Sequence, residues 1–249
     1  MSDFQPLKPE QHQNLKVKPV VDWEFVAKQH QLEITVTEAQ QAASSFPLFF
    51  IKNSETGNTF IAAVTSFVMD TNVLVEENGQ HQLAYVPLSA SLRPFALGLD
   101  PENDKSVIPF VDLDSKLVSD DQGEVLFEGD KATPFFQHYN HQLEQYYNGQ
   151  LATGKFVQAL DELGLIQQAE LEITMADGQK STLKGLWNLN EKALNELSIE
   201  EQQSLLSQGY FAPIFAMLSS MTQLNRLIHG HIKLGEPIAG VNVNPVNGK

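Results

Sequence analysis

The sequence predicts an α+β fold, with a largely antiparallel β-sheet in the N-terminal half packed against a C-terminal helical layer. Short apolar segments such as FPLFFIK and TFIAAVTSF, separated by turn residues, dominate the first half. Apolar side chains recur at helical spacing in the second half, for example at Phe135, Tyr139 and Leu143. Strands do not alternate regularly with helices, which disfavours a doubly wound nucleotide-binding fold.

The strand assignments in the first half follow from turn chemistry. Asn78-Gly79 lies between two strand-like runs, and this dipeptide predicts a hairpin because both positions tolerate positive φ. The segments RPFALGL and VIPFVDL are predicted to be further strands. Their prolines, Pro94 and Pro109, favour sheet edges or strand starts, since proline has no N–H to donate.

Helix signals become frequent after residue 130. Thr133-Pro134 is typical of an N-cap followed by the first helical residue. The aromatic stripe after it predicts one helix. A second helix, carrying Phe156 and Leu160, is predicted to end at Gly164 because glycine adopts the left-handed conformation that ends helices.

The remaining C-terminal elements are a hairpin and two more helices. Asp177-Gly178 marks a turn between two alternating segments. Ser198 and Glu201 have the spacing of a capping box at a helix start. The last long helix is predicted from about Pro213 to His229 by its apolar periodicity.

The domain organisation is predicted to be simple. The chain has 249 residues, of which 42% are hydrophobic, so it can bury a substantial core. No internal repeat or flexible spacer divides it, and we expect a single domain over residues 1–249. Residues 1–20 and 235–249 are expected to be irregular, the latter because they are rich in Gly, Pro and Asn.

Charge and composition exclude several classes of function. The net charge is -15 and the pI is about 4.8, so the surface repels nucleic acid and anionic lipid. The chain has no cysteine, which excludes disulfides and thiolate chemistry. Its apolar runs are far shorter than the roughly 18 residues of a membrane helix. Since the N-terminus does not resemble a signal peptide, we expect a cytoplasmic protein, with cell-surface association only by a signal-independent route.

The common catalytic signatures GxGxxG, P-loop, HExxH and GxSxG do not occur in the sequence. A metal-dependent enzyme stays open as an alternative, because His138, His141 and Glu144 fall on one face of a predicted helix at a spacing that suits metal ligands. Histidines beside an aromatic stripe are more commonly hydrogen-bonded or exposed. No cofactor is predicted.

A second acidic pattern supports the same alternative. Asp112-x-Asp114 follows an apolar strand and resembles the nucleophile motif of haloacid-dehalogenase-type phosphatases. However, no helix is predicted after it to complete the βαβ unit of such enzymes. The many acidic residues between 100 and 130 suit calcium, but a solvated acidic face is the simpler interpretation.

Arginine occurs at only two positions, Arg93 and Arg226, and both lie in apolar segments. The five donors of a guanidinium suit a buried carboxylate, backbone carbonyls, or the carboxylate or phosphate of a ligand. For Arg93 we favour a structural role over a ligand contact, either an ion pair with an acid such as Asp100 or Asp112 or hydrogen bonds to strand carbonyls. Both arginines stay candidate contacts for a ligand or partner.

Five segments, in order, resemble the surface-layer-associated SapC family, which is unrelated to the permease component of the same label. The resemblance covers roughly Trp23 to Ile228. The segments are FVAKQHQLEITVTEAQQAASSFPLFFIK, AYVPLSASLRPFALGLD, GEVLFEGDKATPFF, FVQALDELGLIQQAELEITMADGQKSTLKGLWNLNEKALNEL and GYFAPIFAMLSSMTQLNRLI. Family members often place arginine two to four residues before the Pro-Phe pair, whereas Arg93 here directly precedes it.

The resemblance implies a bacterial accessory protein. Relatives are associated with a surface layer, or are encoded near flavin-dependent halogenase-like proteins, cupin-like proteins and TonB-dependent receptors. The family supplies no catalytic residues. Tyr85 lies in the second shared segment and joins Arg93 and Arg226 as a candidate contact residue. We therefore expect a non-enzymatic binding protein with a protein or peptide partner, and a homo-oligomer is also compatible with the sequence.

Overall fold

The computed structural model describes residues 3–53, 57–76 and 79–246. The chain divides into two compact units, each built from two separate stretches of sequence. The first unit comprises Met1–Asp22 and Leu88–Asn148, and the second comprises Trp23–Pro87 and Gly149–Lys249. A single domain over residues 1–249 stays a prediction.

Strands and helices follow one another irregularly along the described residues. The strands are β1 (Phe4–Pro6), β2 (Lys16–Val17), β3 (Gln31–Ile34), β4 (Leu48–Lys52), β5 (Thr59–Val64), β6 (Phe95–Asp100), β7 (Asn103–Asp112), β8 (Val118–Ser119), β9 (Glu124–Val125), β10 (Phe127–Glu128), β11 (Lys131–Ala132), β12 (Ile166–Met175), β13 (Lys180–Leu189) and β14 (Ile238–Pro245). The α-helices are α1 (Pro9–His12), α2 (Trp23–Val26), α3 (Ala39–Ala42), α4 (Leu88–Ser91), α5 (Pro134–Glu162), α6 (Glu191–Asn195), α7 (Ile199–Ser207), α8 (Phe211–Ser220) and α9 (Leu224–Lys233), and 3₁₀ helices cover Val36–Glu38 and Met221–Gln223. Within the described residues, no helix combines the length and the hydropathy needed to cross a bilayer.

The first unit is built from small antiparallel sheets around an apolar core that contains leucine, valine and phenylalanine side chains. One sheet has the order β1-β7-β6 and another has the order β8-β2-β9. Phe95 of β6 packs against Phe136 and Tyr139 of α5, with ring centroids 5.5 and 5.0 Å apart. Burial of each such ring stabilises the unit by about 2 kcal/mol. The helix begins as predicted, because Oγ1 of Thr133 accepts a hydrogen bond from the N–H of Phe136.

The second unit contains a six-stranded antiparallel sheet with the order β14-β12-β13-β4-β5-β3. Leu171 and Ile173 of β12 are buried, as their alternation with polar residues predicts. Phe50 of β4 packs against Phe156 of α5 with ring centroids 6.3 Å apart. Both phenylalanines are fully buried, so the second part of α5 belongs to the core of this unit.

The predicted α+β class is confirmed, since antiparallel sheets and helices together make up most of the structure. The main sheet also uses strands from the C-terminal half, because β12, β13 and β14 form one side of it. The hairpin turn at Asp177-Gly178 is confirmed, with Gly178 at a φ of 86°. The capping box of Ser198 and Glu201 is present at the start of α7.

Helix α5 is continuous over 29 residues, so the prediction of two separate helices is wrong. Gly149 and Gly154 lie inside it, and glycine lowers the intrinsic stability of a helix. At Gly149 a Cβ atom would lie 2.8 Å from three side-chain atoms of Thr35. Glycine at 149 therefore allows close approach of the backbone to Thr35, and does not break the helix.

Two predictions for the C-terminal region are wrong. The single helix from Pro213 to His229 is divided into α8 and α9 by the 3₁₀ turn at Met221–Gln223. The tail is not irregular throughout, because residues 238–245 form β14 along β12. Similarly, the N-terminal residues 1–20 contain β1, α1 and β2. Short strands rich in Gly, Pro or Asn have weak local signals, and pairing with a neighbouring strand stabilises them.

Pro109 lies in β7, the central strand of its sheet, and not at an edge as predicted. Its C=O accepts a hydrogen bond from the N–H of Leu7 at 2.9 Å. The N–H and C=O of a strand residue point to the same side. The missing N–H of Pro109 therefore faces the end of β1, where little pairing is lost. Pro94 directly precedes β6, in agreement with its predicted position at a strand start.

The hairpin predicted at Asn78-Gly79 falls partly outside the described residues, which do not include Asn78. Val75 and His81 form an isolated antiparallel bridge on either side of it. Beyond this bridge, the described residues that flank the turn are not strands. The antiparallel bridge agrees with the predicted reversal of the chain, whereas the two predicted strands on either side of it are not formed by the described residues.

Candidate functional site

Arg93 forms an ion pair with Asp112 inside the first unit. Its Nη2 atom lies 3.2 Å from Oδ2 of Asp112, and the two side chains are 19% and 3% exposed. The other carboxylate oxygen of Asp112 accepts a hydrogen bond from the N–H of Asp3. The guanidinium is therefore directed at a buried carboxylate, which is the structural pairing that the sequence favoured. A ligand or partner contact through Arg93 stays a prediction.

Tyr85 belongs to a buried polar network in the second unit. Its hydroxyl donates to Oε1 of Glu38 at 2.8 Å, and Oε2 of Glu38 accepts from the N–H and the hydroxyl of Thr35. Oγ1 of Thr153, on α5, accepts from the N–H of Val36 at 2.8 Å. Burial and the adjacent carboxylate of Glu38 raise the pKa of Tyr85 well above its usual value. The phenol is thus a protonated donor in an internal contact.

Arg226 lies on α9 and is half-buried. Its Nη1 atom donates to the backbone oxygen of Gln82 at 3.3 Å. This bond connects the helix to the segment between β5 and α4, far away in the sequence. Like Arg93, Arg226 makes a contact within its own unit, and its predicted role with a partner is a separate proposal.

The residues predicted for a metal site do not form a cluster of ligands. His138, His141 and Glu144 are all exposed on α5. Nε2 of His141 lies 3.0 Å from Nε2 of Gln145, a neighbour on the same helix. Among the residues that the structure describes, no group of three His, Cys, Asp or Glu side chains is placed to hold a metal ion.

Asp112 and Asp114 do not converge on a common site. The Asp112 side chain is buried and bonded to Arg93, whereas Asp114 is exposed. The N–H of Ser115 donates to the backbone oxygen of Asp112, in a turn that leads to the short strand β8. The phosphatase motif requires a βαβ unit after its nucleophile, so this arrangement gives the enzyme alternative no support.

The second unit brings together a serine, a histidine and a glutamate that sequence reasoning missed. Nε2 of His231 lies 3.3 Å from Oγ of Ser66, and Nδ1 of His231 lies 2.5 Å from Oε2 of Glu236. Hydrolases use these residue types, in this order, as nucleophile, base and orienting acid. Ser66 and His231 are distant in the sequence, so no local motif could indicate their contact.

Other hydrogen bonds give this constellation a structural role. The N–H of Phe67 donates a hydrogen bond to Nε2 of His231 at 3.1 Å. This hydrogen bond occupies the lone pair with which a catalytic base would accept a proton. The imidazole is therefore the tautomer with hydrogen on Nδ1. Oγ of Ser66 accepts from the N–H of Val68 at 3.0 Å. Since Ser66 and His231 are also buried, the histidine joins the turn after β5 to the end of α9.

A cleft of about 330 Å³ lies between the end of α5 and α7 in the second unit. The ring of Tyr210, on its wall, packs edge-on against the buried ring of Phe156, with centroids 5.1 Å apart. Three apolar side chains share the lining with amide, hydroxyl and charged groups. The lining residues are Lys155, Gln158, Ala159, Glu162, Leu163, Ser204, Leu205, Gln208 and Tyr210.

Two helices near the cleft in the sequence, α7 and α8, carry exposed apolar side chains. Leu206 of α7 is 66% exposed and Phe215 of α8 is 56% exposed. The rings of Phe211 and Phe215, one helical turn apart, stack with centroids 5.9 Å apart. The opposite face of α8 is buried through Ile214 and Met217. Phe211 is partly buried. We call Leu206, Phe211 and Phe215, which lie on two consecutive helices, the α7–α8 surface.

Sequence reasoning missed this surface because the helix predicted from Pro213 left Phe211 outside it. The available signal was the composition of FAPIFAML, which contains no charged residue on any face. Such a helix is either fully buried or leaves apolar side chains in solvent. The exposure of Phe215 shows that α8 is of the second kind.

These features define an α+β protein with antiparallel sheets. It has a small cleft beside α7 and exposed apolar side chains on α7 and α8. The chain matches the SapC family over residues 7–227, which is most of its length. It therefore belongs to the SapC family, and the resemblance seen in its sequence is confirmed. No curated protein and no solved structure matches the chain.

Proposed function

We propose that this SapC-family chain is a non-enzymatic binding protein whose α7–α8 surface contacts a protein or peptide partner. The observation that carries the proposal is the exposure of Phe215, whose ring stacks on that of Phe211. Exposed aromatic clusters are typical of the central residues of protein interfaces. Burial of Phe215 and of Leu206 against a partner would contribute about 2 kcal/mol each.

The charge near this surface indicates the chemistry of the partner. Helix α7 begins with Glu200 and Glu201, and the cleft beside it is lined by Glu162 and also by Lys155. Hydrogen bonds from Ser198 lower the pKa of Glu201, so its carboxylate stays ionised at neutral pH. The whole chain carries a net charge of -15. A segment with an apolar anchor and flanking Lys or Arg residues is therefore the partner chemistry that we propose.

The biological setting in this proposal rests on the family resemblance. The resemblance implies relatives that are associated with a surface layer, or that are encoded near flavin-dependent halogenase-like proteins, cupin-like proteins and TonB-dependent receptors, a setting that suggests an accessory role in handling a nutrient or peptide. An accessory protein in either setting needs a surface for another protein and no catalytic centre. The α7–α8 surface meets that need, whereas Arg93 and Tyr85 are already occupied by Asp112 and Glu38.

Binding is tested with purified proteins from the implied settings, immobilised and titrated with this chain by biolayer interferometry. We expect Phe215→Glu and Leu206→Glu each to weaken binding by at least about tenfold, because each replaces a buried apolar contact with a carboxylate. The matched control is Leu99→Glu, since Leu99 is 64% exposed on β6 of the first unit. Equal loss of binding in the control, or no loss in the α7–α8 variants, contradicts the proposal.

A further inference from the structure

We infer that β14 pairs with β14 of a second copy of this chain, which joins two six-stranded sheets edge to edge. In the sheet order β14-β12-β13-β4-β5-β3, β14 is a terminal strand with β12 on one side. A terminal strand presents alternate N–H and C=O groups to the outside, and a further strand can bind to them. This inference is independent of the proposed partner at the α7–α8 surface.

The register of β14 shows which backbone groups point outward. The N–H of Val246 donates to the oxygen of Gln168 at 2.9 Å, and Asn242 pairs with Glu172 in the same register. Hydrogen-bonded residues alternate along an antiparallel ladder. Asn242 and Asn244 therefore direct their backbone groups toward β12, and Val241 and Val243 direct theirs outward.

The β14 edge lacks the features that usually prevent strand addition. Its sequence, IAGVNVNP, contains no charged residue, and its proline is the last residue. Protected edges are short, charged or covered. The opposite edge, β3, has four residues including Glu33, whose Oε1 accepts a hydrogen bond from Gln150 of α5 at 3.0 Å. Helix α9 packs beside β14. Among the described residues no strand lies along the outer edge of β14, so the two edges of this sheet differ and β14 is the one that we propose for a further strand.

The strand is complementary to itself about a two-fold axis through Asn242. In an antiparallel pair with this register, Val241 of each copy lies opposite Val243 of the other, and their outward backbone groups form the hydrogen bonds. Valine pairs are favourable on the half-buried face of a sheet. On the exposed face Asn242 meets its own copy, and an amide both donates and accepts hydrogen bonds.

Charge does not oppose this pairing locally, although each chain has a net charge of -15. The carboxylates that neighbour the exposed face of β14 are those of Glu170 and Glu172. They pair with Lys184 and Lys180, at 3.4 and 2.9 Å. The remaining repulsion between copies is long-range, so added salt should screen it and strengthen the dimer.

The register is tested with single cysteines, which is straightforward because the natural chain has none. In the proposed pair, Asn242 lies on the axis, and two residues opposite each other at a non-hydrogen-bonded position are close enough for a disulfide. We expect Asn242→Cys to form a covalent dimer under mild oxidation at least about tenfold faster than the control Asn244→Cys. Absent or equal cross-linking of the two variants overturns the inference.

Sedimentation velocity supplies the second measurement. One strand pair buries less surface than a standard interface, so we expect a dissociation constant in about the micromolar range. Asn242→Lys, which opposes two ammonium groups on the axis, should be monomeric while retaining wild-type circular dichroism. Phe215→Glu should dimerise like the wild type, so failure of this inference is distinguishable from failure of the proposed function. A purely monomeric wild type, as expected if another protein covers β14, also overturns it.

Discussion

Oε1 of Glu38 accepts a hydrogen bond from the hydroxyl of Tyr85 at a distance of 2.8 Å. Glu38 is 3% exposed, and Thr35 donates two hydrogen bonds to its other oxygen. A carboxylate at such a position requires donors to replace its lost hydration. The pair fixes the segment that precedes α4 to the start of α3.

We expect Tyr85→Phe to lower the free energy of unfolding by about 2 kcal/mol, because it removes a donor from a buried acceptor. Urea denaturation followed by circular dichroism measures the change. Tyr147→Phe is the control, since Tyr147 is exposed on α5 and should tolerate the substitution. Similar stability of the two variants would show that Glu38 does not depend on the phenol.

The same pair makes stability depend on pH in the alkaline range. The folded protein holds the proton of Tyr85 more tightly than the unfolded chain, in which its pKa is 10.0. The contribution to stability is therefore complete below pH 10 and is lost as the pH rises beyond that value. Unfolding free energies at about pH 9 to 11 should fall less steeply for Tyr85→Phe than for the wild type. Parallel curves would contradict this linkage.

We expect Arg93→Met to destabilise the protein by about 3 kcal/mol, because it leaves the carboxylate of Asp112 buried without its cation. Arg226→Met should cost less than about 1 kcal/mol, since the contact that it removes is a hydrogen bond to a backbone oxygen. Thermal and urea unfolding provide the comparison. A variant Arg93→Lys with unchanged stability and binding would remove any special role for the guanidinium.

The two glycines inside α5 are expected to respond in opposite directions to alanine. Gly154→Ala should stabilise the protein by about 0.5–1 kcal/mol, because, apart from the adjacent helix backbone, no atom of the described residues lies within 4 Å of the new Cβ. Gly149→Ala should destabilise it by about 1–3 kcal/mol, because the new Cβ would lie 2.8 Å from Thr35. Thr35 is held by Glu38 and cannot turn aside freely. Changes of the same sign in both variants would refute this explanation.

The Ser66–His231–Glu236 constellation is expected to be inert as a hydrolase site. A fluorophosphonate probe analysed by intact mass should leave Ser66 unmodified, because Nε2 of His231 already accepts the N–H of Phe67. His231→Ala should instead accelerate hydrogen exchange at Phe67 and lower stability by at least about 2 kcal/mol. Rapid labelling of Ser66 that His231→Ala abolishes would establish a catalytic role.

Sequence reasoning succeeded where the physical cause is local. The cap at Thr133, the capping box at Ser198 and the turn at Gly178 each depend on residues within four positions of one another. The reason for glycine at position 149, inside α5, is the close approach of Thr35 from a distant segment, and local sequence does not reveal that contact. The strand β14 was not predicted for the same reason. It is stabilised by pairing with β12, and its own composition gives no strand signal.

The candidate sites also differ in whether their contacts could be predicted from local sequence. A structural partner for Arg93 could be predicted, with Asp112 among the named acids and strand carbonyls as the alternative, since a buried guanidinium requires acceptors nearby. The contact of Tyr85 with Glu38 and that of Ser66 with His231 arise only when separate elements meet. The exposure of Phe215 depends on which face of α8 the sheet covers, and composition alone does not decide this.

The division of the first unit between two stretches of sequence has a consequence for fragments of the protein. Residues 88–148 contain β6 to β11, but the middle strand of the sheet β8-β2-β9 and the outer strand β1 come from the first 22 residues. A piece beginning at Leu88 would thus be incomplete by itself. A synthetic peptide of residues 1–22, supplied separately, has the missing strands, and such a split pair offers a reporter whose reassembly can be titrated.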